Sequence, residues 1–327
     1  MSQGLGLVIG SSVRPERLGA SAAAAEEAGF DRLWLAEDFF FTGGIAGANL
    51  ALAATNRIQV GLGVVSAVVR HPALLAMEIA TTALAYPGRL LPGIGLGVPG
   101  WMRQMGLFPS SPLAAVTECL NGVRRLLQGD EVTEHGKVFD FNAVKLVHPV
   151  RERVPLHLGV IGPKMLERSG EIADGSILSV AAGVDYIRWA RERIDAGRRS
   201  AGRADRHELT VFAIFAVDDD AAAARAAARR TLAFYKAAGG RNALTDAEGI
   251  SDDLESMVAS GGAAEVERSM PDEWVEKLTI AGSPDEVVAK IRRLREAGAD
   301  SVALFPAEAD RVDEIIARTA SDVIPAL

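Results

Sequence analysis

The chain repeats one pattern eight times: a short run of apolar residues, a loop, and then a helical segment. The apolar runs lack the alternation of polar and apolar residues that a sheet with one solvated face requires, so they predict strands buried on both faces. Buried strands that alternate with helices are typical of a parallel sheet. The predicted strands span residues 4–10, 32–36, 58–65, 89–96, 155–160, 175–180, 209–217 and 301–305.

Eight such units predict a closed (β/α)8 barrel, because each right-handed crossover places its helix outside the sheet. An open, doubly wound sheet is the alternative, since it is built from the same units. A barrel takes about 250 residues, so the 327 residues are expected to form a single domain with insertions. We expect a hairpin insertion at 130–146, a second insertion region at 239–272, and a long loop at 97–111.

The helical segments are predicted from their periodicity and their end signals. Ser283 begins the clearest of them, because Pro284 and Glu286 follow it in the pattern of a capping box. The other predicted helices span residues 14–28, 50–55, 72–85, 111–127, 164–173, 185–201, 221–238 and 310–324.

Charge and cysteine content exclude several classes of protein. The 35 basic and 43 acidic residues give a net charge of −8, the wrong sign for a protein that binds nucleic acid through its phosphates. The one cysteine, Cys119, cannot form an intramolecular disulfide and lies in a predicted amphipathic helix, where a buried thiol is expected. With neither a long apolar segment nor a secretory signal in this sequence, we expect a cytoplasmic protein without a membrane partner.

The common catalytic motifs are missing from the sequence. Its five histidines are dispersed and no HExxH or paired-cysteine spacing occurs, so no metal site is predicted. No GxSxG nucleophile elbow follows a strand. The glycines at 93, 95 and 97 do not have the spacing of GxGxxG, which disfavours a nicotinamide site.

Two other features do suggest chemistry. Gly162-Pro163-Lys164 follows a predicted strand and opens a helix, so the backbone N–H groups there form a candidate phosphate site. An ordinary strand-to-helix turn is the alternative. Glu37 and Asp38 follow another strand and precede three phenylalanines at 39–41, which predicts a pocket or an interface in which a desolvated carboxyl group transfers protons.

The sequence resembles the bacterial-luciferase-like superfamily in three segments, at 58–72 (IQVGLGVVSAVVRHP), 88–97 (GRLLPGIGLG) and 159–175 (GVIGPKMLERSGEIADG). Within this superfamily it is similar to the branch that uses coenzyme F420, typified by methylenetetrahydromethanopterin reductase. The resemblance implies a (β/α)8 TIM barrel of the luciferase-like type that holds a flavin or a 5-deazaflavin at its C-terminal mouth.

The resemblance also implies which residues bind. A non-prolyl cis peptide at Gly63-Val64 is expected to form a bulge against the cofactor ring, and segment 159–165 to hold its phosphate. Family members place substrate and ring contacts in the segment matching 97–106, although Trp101 is equally well explained as a packing residue. The expected cofactor contacts are Gly63, Val64, Ser66, Gly97, Gly159, Val160, Ile161, Gly162, Pro163, Lys164, Met165 and Ser179. The expected substrate contacts are Phe39, Phe40, Trp101 and Gln104.

One departure from the family pattern concerns the catalytic pair. The deazaflavin enzymes usually carry Asp-His after the second strand, where this chain has Glu37-Asp38. We expect these two carboxyl groups to transfer protons, and the change argues against simple sugar-phosphate oxidation.

The resulting hypothesis is an F420-dependent oxidoreductase that transfers a hydride between the deazaflavin and a small organic substrate, acting as a homodimer. The alternatives are an FMN-dependent monooxygenase of the same fold and a non-catalytic flavin-binding protein.

Overall fold

The computed structural model describes residues 4–327. Its strands are β1 (Leu5–Ile9), β2 (Arg32–Leu35), β3 (Gln59–Ser66), β4 (Leu90–Gly95), β5 (Val132–His135), β6 (Asp140–Val144), β7 (His157–Val160), β8 (Gly175–Leu178), β9 (Glu208–Val217), β10 (Ile280–Gly282) and β11 (Ser301–Pro306).

Eight of these strands form a closed parallel barrel. They follow the order β1-β2-β3-β4-β7-β8-β9-β11, and β11 pairs with β1 to complete the ring. The closure confirms the predicted (β/α)8 barrel with all eight predicted strands, and the open doubly wound alternative is wrong. The short strand β10 pairs only with the end of β9, where β9 extends beyond the barrel.

The helices surround the barrel or lie in the insertions. They are α1 (Pro15–Glu27), α2 (Gly44–Ala53), α3 (Pro72–Ala85), α4 (Pro99–Gln104), α5 (Pro112–Leu127), α6 (Pro163–Ile172), α7 (Val184–Ser200), α8 (Ala221–Gly239), α9 (Ala243–Ala247), α10 (Ser251–Ser269), α11 (Asp272–Leu278), α12 (Pro284–Glu296) and α13 (Val312–Arg318). The capping box predicted at Ser283 is present, with both hydrogen bonds to Glu286.

Three predicted segments differ from the structure. The helix predicted at 50–55 spans Gly44–Ala53 instead. Its first residue packs closely against Glu37, which favours glycine, because a Cβ on Gly44 would lie 3.0 Å from the Cβ of Glu37. The predicted loop at 97–111 contains the short helix α4, which starts at a proline. The last predicted helix is divided into a 3₁₀ turn, α13 and a π turn at Thr319–Val323.

The two insertion regions have different structures. Residues 130–146 contain the antiparallel pair β5 and β6, and the carboxylate of Glu118 in α5 accepts the N–H groups of the turn at 137–139. Residues 239–272 contain α9 and α10. Helix α10 joins α8 and α11 in a second apolar cluster, whereas Leu244 of α9 packs in the main core.

The barrel interior is filled around Trp34, whose ring contacts those of His157 and Phe212. A Cβ on Gly61 would lie 2.2 Å from Trp34 Cε3, so this strand position has no room for a side chain. At the N-terminal ends of the strands Glu208 binds Arg32 and lies beside His157. Burial alone would raise the pKa of Glu208, but its interactions with His157 and Arg32 lower that pKa to about 2. This end of the barrel is closed, which leaves the C-terminal mouth for a ligand.

No helix among residues 4–327 is both long and apolar enough to span a membrane. Cys119 is fully buried, and burial raises the pKa of its thiol to about 12.

Candidate active site at the barrel mouth

A bulge in β3 forms one wall of the mouth. The Gly63-Val64 peptide is cis, as predicted, and the pairing of β3 with β4 shifts between Leu62 and Val65. Leu62 and Val65 are buried, whereas Gly63 and Val64 between them stay partly exposed. The bulge therefore presents backbone to the mouth instead of continuing the strand.

Three glycines of the neighbouring strands make room for the Val64 side chain. A Cβ on Gly93, Gly95 or Gly159 would lie 3.1, 2.6 or 2.8 Å from a methyl group of Val64. These distances are too short for a real side chain at Gly95 and Gly159, so β4 and β7 need glycine there to seat the bulge. Gly159, predicted from the phosphate-binding segment, thus has a packing role that the sequence did not indicate.

The predicted catalytic carboxyl groups lie in two different environments. Glu37 is buried, and Arg70 donates hydrogen bonds to both of its oxygens, at 2.9 Å and 2.5 Å. The backbone N–H of Gly44 adds a third, at 3.1 Å. Both oxygens of the Glu37 carboxylate are therefore engaged, by three hydrogen bonds in all.

Asp38 is half-buried, and one of its oxygens is engaged by a hydroxyl group. Ser11 Oγ, in the loop after β1, donates to Asp38 Oδ2 at 2.6 Å. Tyr235 in α8 faces the same region; burial, and to a lesser degree the negative charge of Asp38, raises its pKa to about 12. Sequence reasoning missed Tyr235, because it lies inside a long alanine-rich helix without a motif.

The aromatic residues after β2 meet the loop after β4. The rings of Phe39 and Trp101 are perpendicular with centroids 6.4 Å apart, and Phe40 lies beside Phe39 at 6.3 Å. The Phe39-Phe40 peptide is also cis, which was not predicted. Gln104, the fourth predicted substrate contact, is exposed at the end of α4. The structure thus brings three of the four predicted substrate contacts together.

Ser66 and Gly97 hold the loop after β4. Ser66 Oγ donates to the carbonyl of Leu96 at 2.8 Å and is buried, so its placement favours support of the loop over direct contact with a cofactor. Gly97 has φ +88°, which favours glycine, and a Cβ there would lie 3.2 Å from the Met102 side chain.

The N-terminus of α6, which follows β7, forms a second corner of the mouth. Gly162 is the N-cap without a side-chain cap, Pro163 follows, and the exposed Lys164 adds positive charge. A Cβ on Gly162 would meet nothing within 4 Å, so the space beside the N-cap is open, whereas the Met165 N–H already donates to the Gly162 carbonyl at 3.1 Å. The N-terminus of the next helix, α7, is capped by a side chain: Glu248 from the insertion region accepts a hydrogen bond from the N–H of Tyr186, at 2.9 Å.

The remaining predicted cofactor residues lie around this corner. Val160 is buried and Met165 packs against the core, so both support the turn. Ile161 is exposed, and its carbonyl accepts the hydroxyl of Tyr186 at 2.7 Å. Ser179 is exposed immediately after β8.

Comparison with known proteins identifies the family. Residues 3–301 match the model of a family described as luciferase-like monooxygenase. The chain belongs to this family.

The relatives of this luciferase-like protein include several enzymes named for coenzyme F420 or for tetrahydromethanopterin. It is 30% identical over 287 residues to 5,10-methylenetetrahydromethanopterin reductase of Archaeoglobus fulgidus, covering 85% of this chain and 86% of that one. It is 27% identical to an F420-dependent glucose-6-phosphate dehydrogenase of Nakamurella multipartita, covering 87% of this chain and 84% of that one.

Solved structures share the fold of this luciferase-like protein. The F420-dependent tetrahydromethanopterin reductase of Methanopyrus kandleri superposes with a TM-score of 0.86 at 24% identity, covering 98% of both chains. An F420-dependent secondary alcohol dehydrogenase superposes with a TM-score of 0.81 at 23% identity, covering 100% of this chain and 99% of that one.

Proposed function

We propose that the protein is a coenzyme F420-dependent oxidoreductase that transfers a hydride between the deazaflavin and an organic substrate. The observation that carries this proposal is the Gly63-Val64 bulge, whose Val64 side chain packs against Gly159 of β7, three residues before the N-cap of α6. A flat ring system with a phosphate-bearing tail needs these two features, a backbone surface and an anion site. The F420-dependent relatives add independent support.

The residues present fit such a cofactor. Gly63 and Val64 would support the ring, while the N–H groups of Gly162 and Lys164 and the Lys164 ammonium would hold the phosphate. Ile161 and Ser179 are exposed at the ends of β7 and β8. When bound, the deazaflavin supplies the carbon that gives or accepts the hydride, and the protein supplies orientation and protons.

Asp38 is the residue to which we assign the proton. Its Oδ2 atom is held by Ser11, which fixes the carboxylate in the mouth, and it is only half-buried. A carboxylate in this position accepts a proton as a substrate is oxidised and returns it in the reverse reaction. Glu37, bound to Arg70, would orient the loop that carries Asp38.

The test of the cofactor is a binding titration of the cofactor-free protein. Coenzyme F420 is expected to bind at micromolar concentration or tighter, with FMN at least tenfold weaker. Tight FMN binding without a response to F420 would favour the FMN-dependent monooxygenase and overturn the assignment. Tight F420 binding with no oxidation or reduction of the coenzyme by any alcohol, aldehyde or enone would favour a non-catalytic carrier.

A dimer through α2 and α3 is a further part of the proposal. Four large apolar side chains of these two helices are exposed, Leu50, Leu74, Met77 and Leu84, and the one charged residue of the two helices, Glu78, is paired with Arg70. An apolar face on two adjacent helices is typical of an isologous contact between two copies. Met77→Lys is expected to convert the dimer to a monomer in light scattering, whereas Val147→Lys, at an exposed apolar residue elsewhere, should not.

A further inference from the structure

Exposed aromatic side chains gather at the mouth of the barrel. Phe40 and Phe41 are 68% and 63% exposed in the loop after β2, and Phe234 is 62% exposed in α8. Side chains of this size are seldom left in water unless a ligand or a partner covers them. They lie on segments that also carry Asp38 and Tyr235.

Two aromatic groups adjoin Asp38. In the first, Phe39, the next residue in the chain, contacts Trp101. In the second, Tyr235 contacts Phe305 edge to face, with centroids 5.6 Å apart, and Phe234 contacts Tyr235 at 5.5 Å.

Phe305 adjoins the loop that holds Asp38. A Cβ on Gly10 would lie 3.7 Å from the Phe305 ring, and Ser11 next to Gly10 donates to Asp38. The Asp38 carboxylate is therefore linked to both aromatic groups, to the first through its neighbour Phe39 and to the second through the loop of Gly10 and Ser11.

The positively charged side chains near the mouth either contact other groups or, like Lys164, lie at the N-terminus of α6. Arg70 is paired with Glu37 and Glu78, and the buried Lys236 ammonium donates to the carbonyl of Ala181 at 3.2 Å. The Arg103 guanidinium stacks over the Phe108 ring at 4.4 Å. Among residues 4–327 no arginine or lysine forms an ion pair with Asp38, whose side chain is held by the uncharged Ser11, so a negatively charged group placed beside Asp38 would meet an unbalanced carboxylate.

We propose that the substrate is an uncharged, flat aromatic molecule that carries a carbonyl or a conjugated C=C bond. This inference rests on the proposed function and deepens it. The side chains that determine specificity are Phe39, Phe40, Trp101, Phe234, Tyr235 and Phe305. Stacking and edge contacts from both aromatic groups bind the aromatic part, and burial of its apolar area drives association.

For a conjugated enone the reaction balances as follows. The hydride that bound reduced coenzyme would supply forms a C–H bond at the β-carbon of the substrate. The C=C π pair moves toward the carbonyl, and the α-carbon then takes one proton. The Tyr235 hydroxyl would donate a hydrogen bond to the carbonyl oxygen, while Asp38 would pass the proton from solvent to the α-carbon.

The test compares three enones with the F420-loaded protein. Benzylideneacetone is neutral and aromatic, 4-carboxybenzylideneacetone adds one negative charge, and pent-3-en-2-one lacks the ring. The rate of oxidation of reduced F420 is the first readout. Binding of each enone to the protein with and without oxidised F420, measured by saturation-transfer NMR, is the second.

We expect benzylideneacetone to exceed both other compounds by at least tenfold in kcat/KM and in affinity. Equal or better use of the carboxylated compound, with F420 bound, overturns the substrate class and leaves the proposed function intact. If F420 does not bind, the proposed function fails, and the affinity ratio on the cofactor-free protein alone decides the substrate class. If F420 binds and no enone reacts, the affinity ratio in the F420 complex decides it in the same way.

Variants separate the two aromatic groups from general packing. Trp101→Leu and Phe305→Leu are expected to raise KM for benzylideneacetone at least fivefold and to change it less than twofold for pent-3-en-2-one. Trp189→Leu, at a tryptophan of α7 that contacts Tyr186, is the matched control and should leave KM unchanged for both compounds. Equal changes for both compounds in the Trp101 and Phe305 variants would contradict the assignment.

Discussion

Arg70 binds Glu37 through two hydrogen bonds, Nη1 to Oε2 at 2.9 Å and Nη2 to Oε1 at 2.5 Å. The Glu37 side chain is 2% exposed and that of Arg70 22%. Hydrogen bonding to Glu37 raises the pKa of Arg70 despite its burial. The pair joins the loop after β2 to the loop after β3 and so anchors the residue that precedes Asp38. We therefore expect the two adjacent carboxylates to have separate roles, positioning for Glu37 and proton transfer for Asp38.

Removing the two carboxyl groups one at a time should give different results. Asp38→Asn is expected to lower kcat for hydride transfer by about 100- to 10,000-fold, the usual range for loss of a proton-transfer group, with little change in stability. Glu37→Gln should destabilise the fold by about 2–4 kcal/mol, because it leaves a largely buried guanidinium with fewer partners. Steady-state kinetics and urea denaturation of both variants provide the measurements.

The double variant Glu37→Gln/Arg70→Gln is the control for this pair. It should recover part of the lost stability, since no unpaired charge remains. Unchanged turnover in Asp38→Asn would remove Asp38 from the proposed mechanism, and an additive loss of stability in the double variant would contradict the ion pair.

The pattern of buried strands was sufficient to predict the barrel, whereas the position of the bulge was predicted from the resemblance to the luciferase-like family. Strands buried on both faces leave a continuous apolar run, which local sequence shows directly. The pairing of Glu37 with Arg70 could not be predicted from the local sequence, because the two residues are 33 positions apart and only the folded barrel brings them together. Tyr235 gave no local signal either, because the helix that carries it is placed over the mouth by contacts with the insertion region.

The seating of Val64 among glycines gives a second prediction. Gly159→Ala would place a Cβ 2.8 Å from Val64 Cγ1 and should cost about 1–3 kcal/mol through overpacking. The displaced bulge should also weaken F420 binding about tenfold. Gly159→Ala/Val64→Ala restores the space and should recover stability. Gly100→Ala, where a Cβ meets nothing within 4 Å, is the control, and failure of the double variant to recover would argue against the seating.

The phosphate corner predicts a salt-dependent effect. Lys164→Ala should weaken F420 binding about two- to fivefold at low salt, because one exposed positive charge at a helix N-terminus contributes modestly. The difference from the unchanged protein should fall as salt rises, since added ions screen an exposed charge. Arg206→Ala removes an exposed cation that pairs with Asp300 before β11, away from the mouth, and should leave the affinity unchanged. A salt-independent loss would point to a packing effect instead.

Lys236 predicts how stability depends on pH. Burial lowers its pKa from 10.5 to about 7, although the nearby Glu248 opposes the shift. Between these values the unfolded chain binds more protons than the folded one, so this group makes stability rise as pH increases from 7 toward 10.5. Below pH 7 its destabilising contribution is fully present.

Lys236→Met should therefore raise the urea midpoint most at pH 6.5 and reduce the increase of that midpoint between pH 7 and 10. Lys164→Met, at an exposed lysine, should leave the pH dependence of the midpoint unchanged. If the urea midpoint rose equally between pH 7 and 10 in Lys236→Met and in the unchanged protein, another group would be titrating in this range.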